Sequence, residues 1–307
     1  MNECEGVRFP FTIEQQLKRY AECPGHNERH EILWNEWKHN KRWLTQVQEM
    51  ILLSFPSYSK HDATHSEAVL QKIELVLGEK NIRELSPTDC YILLNAVYIH
   101  DIGMCITHED RACMASDNEF IDFVQTLTES QDEDMCRYAR LLMGALSDET
   151  VTTEKMKVRL EIYYAIIYIM ADFQRRKHGQ ISKERLLSWI EKKDKLGMGY
   201  STIDIPNRLL QMIGNIAGSH SASLDTVMGL ETVDTGFAND YVHPRFLAVL
   251  LQLGDALDMD NGRFHPLTKE YLGQLPESSE VHFRKHRAIQ RLFISNQELS
   301  LTVKLSS

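Results

Sequence analysis

Tyr91-Ile-Leu-Leu-Asn-Ala-Val-Tyr-Ile-His100-Asp101-Ile-Gly103 decides how the rest of the chain is read. From Tyr91 to Ile99 the segment is apolar on nearly every face, so a helix built from it is buried all round. Its end delivers an imidazole and a carboxylate side by side, with Gly103 as the stop signal. Polar groups at the end of a buried helix need partners, and the strongest available to this pair is a divalent cation. The competing reading is a histidine and an aspartate hydrogen-bonded to neighbouring helix ends. A His-Asp dipeptide taken alone does not separate the two.

Working outward, only 8 prolines and 15 glycines punctuate the 307 residues, and the segments between them repeat apolar residues every three or four positions. That period predicts helices near 13–22, 27–54, 65–79, 87–102, 117–128, 132–145, 155–178, 182–192, 203–219 and 240–257, a mainly α chain. Two of them carry clear start signals, Ser86-Pro87-Thr88-Asp89 and Asn239-Asp240 followed by Pro244. After Pro266 the character changes: RLFIS and LSLTVKL alternate apolar and polar residues around Asn296-Gln297-Glu298, which predicts an antiparallel hairpin. Because a terminal strand needs a neighbour to cover its edge, the chain reads as cut from something longer. Trp34, Trp37 and Trp43, at roughly helical spacing, read as packing residues rather than a platform for stacking bases.

Composition narrows the function. With 43% apolar and 25% charged residues the chain is globular, and a formal net charge of -10 speaks against a protein that grips nucleic acid through a basic surface. The N-terminus, MNECEGVRFPF, lacks the pattern of a secretory signal, and no stretch approaches the roughly 18 uninterrupted apolar residues of a membrane span. A soluble, cytoplasmic protein without a membrane partner is the expectation. The six cysteines (Cys4, Cys23, Cys90, Cys105, Cys113, Cys136) include no CxxC pair, which suits neither a zinc knuckle nor a disulfide framework.

Two further segments carry polar groups on helices, the first amphipathic and the second strongly apolar, where an acid is costly unless paired or metal-bound. His65 opens a helix in His61-Asp62-Ala-Thr-His65-Ser66-Glu-Ala-Val-Leu, and Asp255 sits late in Phe246-Leu-Ala-Val-Leu-Leu-Gln-Leu-Gly-Asp255-Ala-Leu-Asp258. With His100 and Asp101 they make two imidazoles and two carboxylates, a ligand set suited to Mn, Fe, Mg, Zn, Co or Ni. In this order the four positions resemble the HD superfamily of metal-dependent phosphohydrolases: a His opening one helix, an adjacent His-Asp pair and a distant Asp. HSEAVL, YIHDIG and LLQLGDALDMDNGRF carry the resemblance, which spans at least residues 58–264. The C-terminal end, with LFISNQELSLTV after HFRKH, is similar more specifically to the HD-CE branch, in which such a domain is often followed by an Hsp90-like ATPase domain.

The resemblance implies an HD-domain helical bundle with a small C-terminal β-hairpin element, divided into an N-terminal helical extension (1–57), the HD core (58–265) and a C-terminal appendage (266–307). Two-metal members carry extra histidines in the interval where His178 and His220 fall, so the implied metal ligands are His65, His100, Asp101, His178, His220 and Asp255. Asp101 is the implied bridging ligand and catalytic residue. For His178 the rival reading is a cation on a helix C-terminus before a glycine cap, and for His220 a hydroxyl-flanked helix end. His61, Arg263 and Lys285 are candidates for binding substrate, and Lys60 and His286 are further cations near the motifs or in the terminal module. Asp258 and Asp260 lack the remaining ligands of a calcium loop. The cyclic-dinucleotide branch follows His-Asp with Ile-Gly-Lys and carries a Gly-Tyr-Pro signature. Here Met104 replaces the lysine and no such tripeptide occurs, which lowers that reading.

The implied activity is hydrolysis of a phosphoester or phosphodiester bond in a nucleotide or nucleic acid at a site with two divalent metals, and the acidic composition favours small nucleotides over polymers. Two rival readings stand beside it. One is a nucleotide-binding sensor that controls a fused or partner ATPase with little or no turnover; the other is a purely structural helical scaffold. Oligomeric state is left open.

Overall fold

A computed structural model describes residues 11–23, 27–55, 61–114, 116–145, 155–191, 199–200, 204–237, 239–259 and 277–304. Its first five helices are α1 (Ile13–Glu22), α2 (Glu28–Glu49), α3 (Ile51–Ser54), α4 (Ala63–Glu84) and α5 (Pro87–Ile99), the last followed by a 3-10 turn at Ile102–Met104. Next come α6 (His108–Met114), α7 (Asn118–Leu127), α8 (Glu133–Ala145), α9 (Lys155–Glu191), α10 (Asn207–Ser219) and α11 (Leu224–Met228). A short antiparallel pair, β1 (Asp234–Thr235) and β2 (Tyr241–Val242), precedes α12 (Pro244–Leu257); α13 (Glu277–Ala288), β3 (Ile289–Ile294) and β4 (Leu299–Val303) close the chain. The fold is mainly α. Of the elements not anticipated, α6, α11, β1 and β2 are too short to show a period, and α13 lies in the stretch where the helical pattern fades.

α5 is the axis of the larger core. All of its 13 residues are buried, with α1, α2, α4, α10 and α12 packed around it. At about 1.5–3 kcal/mol for each large apolar side chain withdrawn from water, the buried Tyr, Ile, Leu and Val residues of this helix contribute substantially to hydrophobic stabilisation. Its start is held twice. Ser86 and Asp89 form a capping box, and Asp240 accepts hydrogen bonds from the Thr88 amide at 2.9 Å and the Thr88 hydroxyl at 2.8 Å. Asp89 in turn accepts from the His243 amide and Nδ1, each at 2.9 Å, so the two start signals read separately in the sequence lock together in space. Trp37 lies fully buried in this core, edge-on to Tyr98, as expected of a packing residue.

A second apolar cluster gathers α3, the 3-10 turn, α6, α7, α8 and the first half of α9, through Phe55, Met104, Val124, Tyr138, Ile169 and Phe173. Between α7, α8 and α9 it leaves a cavity of about 120 Å³ lined by Phe120, Val124, Leu142, Met143, Ile166 and Met170. α9 joins both clusters, since Ile169 and Phe173 belong to this one and Leu186 to the larger core.

That helix corrects the sequence reading. Residues 155–178 and 182–192 were expected to be separate helices, with Gly179 capping the first, yet one helix runs from Lys155 to Glu191. Gly179 serves a different end: a Cβ there would lie 2.4 Å from the Ser221 hydroxyl and 2.8 Å from the Gly218 carbonyl, so the glycine lets α10 approach α9 closely. The C-terminal strands pair antiparallel, Ile294 opposite Leu299, around the expected turn. α4 is broken at Gly78, whose φ of 69° with ψ of 160° is a combination that glycine adopts readily and side chains oppose, and which faces Asn296 in that turn.

Among the described residues no single helix is long and apolar enough to cross a membrane. One bent pair, Pro87–Met104 with His108–Met114, passes by length and composition, and its first helix is α5, buried in protein.

Candidate metal centre

Four glycines explain why six distant side chains meet. His65 lies in the first turn of α4, whose N-cap Asp62 accepts from the Thr64 amide at 3.0 Å. One and two turns on, Val69 and Ile73 press against α12 at Gly254, where a Cβ would sit 2.6 Å from Ile73 Cγ1; the next residue is Asp255. At the end of α5, Gly103 allows the turn to lie directly on α9, because a Cβ there would be 2.0 Å from the His178 carbonyl oxygen. Gly179 and Gly218 then bring α10, and with it His220, against the same stretch of α9.

α9 also fastens the turn that carries His100 and Asp101. The Ser182 hydroxyl donates to the His100 carbonyl at 2.6 Å and accepts from the Gly103 amide at 2.8 Å. Gln174 Nε2 donates to the Gly103 carbonyl at 2.7 Å. Arg185 donates to the carbonyls of Ile102 at 2.8 Å and Cys105 at 2.5 Å, and pairs with Asp110 at 2.9 Å. Ser182 and Gln174 are buried, so their bonds to the turn are made out of water.

The histidines share one orientation. Nδ1 of His100, His178 and His220 donates to a carbonyl on the preceding turn, that of Val97 at 2.7 Å, Arg175 at 2.6 Å and Ala217 at 2.6 Å. His65 Nδ1 donates instead to the Asp258 carboxylate at 2.7 Å. With Nδ1 carrying the proton in all four rings, each Nε2 offers a lone pair toward the centre, the arrangement by which histidines are set for metal binding.

Asp101 lies where those lone pairs converge. Its Oδ2 is 3.2 Å from His65 Nε2 and 3.1 Å from His100 Nε2, with Asp255 Oδ1 3.4 Å from His65 Nε2. Its Oδ1 is 3.3 Å from His178 Nε2 and 3.7 Å from His220 Nε2. One carboxylate thus faces a set of His65, His100 and Asp255 with one oxygen and a pair of imidazoles with the other. Metal–ligand bonds of about 2.1 Å place neighbouring ligand atoms roughly 3.0–3.4 Å apart, and the spacings of 3.2–3.4 Å from His65 Nε2 to His100, Asp101 and Asp255 match that of ligands around a small divalent cation.

Charge points the same way. Burial would push the Asp101 carboxyl up, but the imidazoles of His100 and His61 outweigh it and hold it well below the carboxylate range. Burial likewise opposes ionisation of Asp255, and the hydrogen bond with His65 and the electrostatic pull of the His100 ring overcome it. Burial, with His100 and His178 beside it, pushes His220 down to about 3, while the Asp101 carboxylate outweighs burial at His178 and raises it. An ionised Asp101 buried among imidazoles, with the more exposed Asp255 beside them, is a costly arrangement unless cations join it.

A family model, HD-CE, matches residues 55–306, a span that contains all six side chains. The chain belongs to the HD-CE family. No curated protein and no solved structure matches it. The clustered His and Asp side chains of this HD-CE domain form three overlapping groups able to hold a metal ion: His61, His65 and Asp101; His65, His100 and Asp255; and His100, Asp101 and His220.

The structure therefore brings together His65, His100, Asp101, His178, His220 and Asp255. The rival reading of His178 as a cation on a helix C-terminus is excluded because α9 continues past it. His61, a candidate for substrate, is closer to the centre than expected: its Nδ1 donates to Asp101 Oδ2 at 2.8 Å. Lys285 is exposed on α13 and takes no part in the contacts described above, while His286 beside it is buried. Lys60, Asp260 and Arg263 lie outside the described residues. Sequence reasoning missed Asp258, Ser182 and Gln174. For Asp258 a signal existed, since a second acid one turn after Asp255 on an apolar helix is as costly as the first.

Proposed function

We propose that the chain hydrolyses a phosphoester or phosphodiester bond of a nucleotide or nucleic acid with two divalent metal ions. The observation that carries this reading is Asp101, which divides its two oxygens between separate ligand groups, as a shared carboxylate must in a dinuclear hydrolytic centre. His65, His100, Asp255 and Asp101 Oδ2 would hold one ion, and His178, His220 and Asp101 Oδ1 the other. Such ions supply Lewis-acid stabilisation of phosphoryl oxygens and lower the pKa of bound water.

The protein's own groups set the rest. Side-chain exposure is 31% at Asp255, 16% at His61 and 15% at His178, against 0–3% at His65, His100 and His220, so solvent reaches the cluster from the side of the first three residues. Substrate approaches from that side. His61 holds Asp101 Oδ2 through its Nδ1–H and orients the shared carboxylate while facing the opening. The net charge of -10 favours small nucleotides over long polymers.

The test is hydrolysis of a panel of nucleotides, cyclic dinucleotides and single-stranded oligonucleotides by the Mn-loaded protein, with Asp101→Ala as control and circular dichroism to confirm its fold. Cleavage by the native protein, abolished in the variant, is expected. Native protein with two bound metals that binds one of these ligands tightly yet cleaves none would replace the enzyme with a sensor.

A further inference from the structure

The four inward-facing histidines are not equivalent. Three hand their Nδ1 proton to a backbone carbonyl of their own helix; His65 alone hands it to a carboxylate, Asp258, whose side chain is 1% exposed. Asp258 is the C-cap residue of α12, reached only because the helix ends one turn beyond Asp255. A carboxylate draws the Nδ1–H proton more strongly than a carbonyl does. It leaves more electron density on Nε2, adds negative charge behind the ring, and fixes the ring's rotation.

The asymmetry extends to charge. Asp255 lies beside His65 and His100, with Asp101 Oδ2 completing that group and Asp258 behind it. Around His178 and His220 the shared Asp101 oxygen is the one carboxylate contact among the described ion pairs. These two imidazoles also approach each other closely, Nε2 to Nε2 at 2.7 Å. From this we propose that Asp258 is a positioning residue that makes the His65/His100/Asp101/Asp255 position the tighter of two unequal metal sites, so that the two ions load in order. The inference rests on the metal-binding reading above and goes beyond it by ranking the sites and assigning the rank to a residue that touches no metal.

Titration of metal-stripped protein with Mn(II), followed by calorimetry and by the electron paramagnetic resonance of free Mn, separates the possibilities. Native protein should show one tight and one weak class. Asp258→Asn, which keeps the shape and an acceptor oxygen, should weaken the tight class about 10–100-fold and leave the weak one unchanged. Two equal classes in the native protein, or an unchanged tight class in Asp258→Asn, would overturn the proposal. Absence of Mn binding by native protein would instead overturn the metal reading itself. Should Asp258→Asn not fold, His220→Ala decides the ranking: loss of the weak class with the tight one retained is expected, and loss of the tight class contradicts it.

Discussion

The two apolar clusters use hydrophobic material in different ways. Around α5 the core is almost closed, with Tyr91, Ile92, Leu93, Leu94, Val97 and Ile99 all fully buried. Around the first half of α9 the cluster relies on methionine and tyrosine, among them Met104, Met114, Met135, Met170, Tyr138 and Tyr168, and retains a cavity of about 120 Å³. Methionine adapts to irregular space where branched side chains specify it. The difference matters for the site, since His65, His100, Asp101, His220 and Asp255 come from elements of the closed core, whereas His178 comes from the helix that spans both clusters. The proposed position around His65, His100 and Asp255 therefore rests on the closed core, and the proposed position around His178 and His220 depends on how α9 is seated.

The sharpest way to break this comparison is to unseat α9. In Gly103→Ala the new Cβ would fall 2.0 Å from the His178 carbonyl and 2.8 Å from the Ser182 amide, both backbone atoms that cannot swing aside. A loss of about 4 kcal/mol or more in urea unfolding is expected, with bound Mn falling from two per chain toward one. Unchanged stability and stoichiometry would show that α9 is not seated through this turn.

Truncations probe the packing itself. Leu93→Ala in the closed core should cost about 4 kcal/mol, because its rigid surroundings cannot collapse on the cavity, and Ile169→Ala about 2 kcal/mol, because the methionine-rich cluster can. Equal losses in chemical denaturation would remove the distinction between the clusters.

Glu74 on α4 offers a titration of the closed core's edge. It accepts the Ile13 amide at 2.9 Å, and burial, followed by the charge of Glu14, raises its pKa to about 7, against the opposing pull of the Ile13 amide and Lys41. A folded-state value above the unfolded one means the folded state holds the proton more tightly. The associated stability is complete below about pH 4.5 and is lost as pH rises through about 7. Glu74→Gln should therefore flatten the stability profile across that window and be more stable than native by about 2 kcal/mol at pH 8. A native profile that rises over the same window would contradict the assignment.

The smallest effect is a control in the looser cluster. At Gly144, in α8, an added Cβ would meet nothing within 4 Å, so Gly144→Ala should gain about 0.5–1 kcal/mol through helix propensity. Destabilisation there would show that glycines of the second cluster are packed as tightly as those at the site.

Much of the fold was legible because α5 announces itself: a run with no polar face can only be an internal helix, and the polar pair at its end needs company. Asp255 was legible for the same reason, as an acid placed where an apolar residue would be cheaper, and His65 was legible through its place at the start of a helix in the HD pattern. Gly179 misled because glycine after a histidine has the local pattern of a helix stop, and its true partner, Gly218, belongs to a helix whose approach no local pattern reports. Asp258 suggests, in the sequence, only a fragment of a calcium loop. Its partner His65 is 193 positions away, so the pairing exists only once α4 and α12 are packed. The bonds of Ser182 and Gln174 to the His100–Gly103 turn were hidden in the same way, since both residues look like ordinary polar positions on an amphipathic helix.

The central claim is that Asp101 divides the cluster into two cation positions. Anomalous difference maps from crystals of the Mn-loaded protein, collected above and below the manganese absorption edge, test it most directly. The account predicts two peaks, one enclosed by His65, His100, Asp255 and Asp101 Oδ2, the other by His178, His220 and Asp101 Oδ1. A single peak at saturating manganese, or peaks away from Asp101, would contradict it.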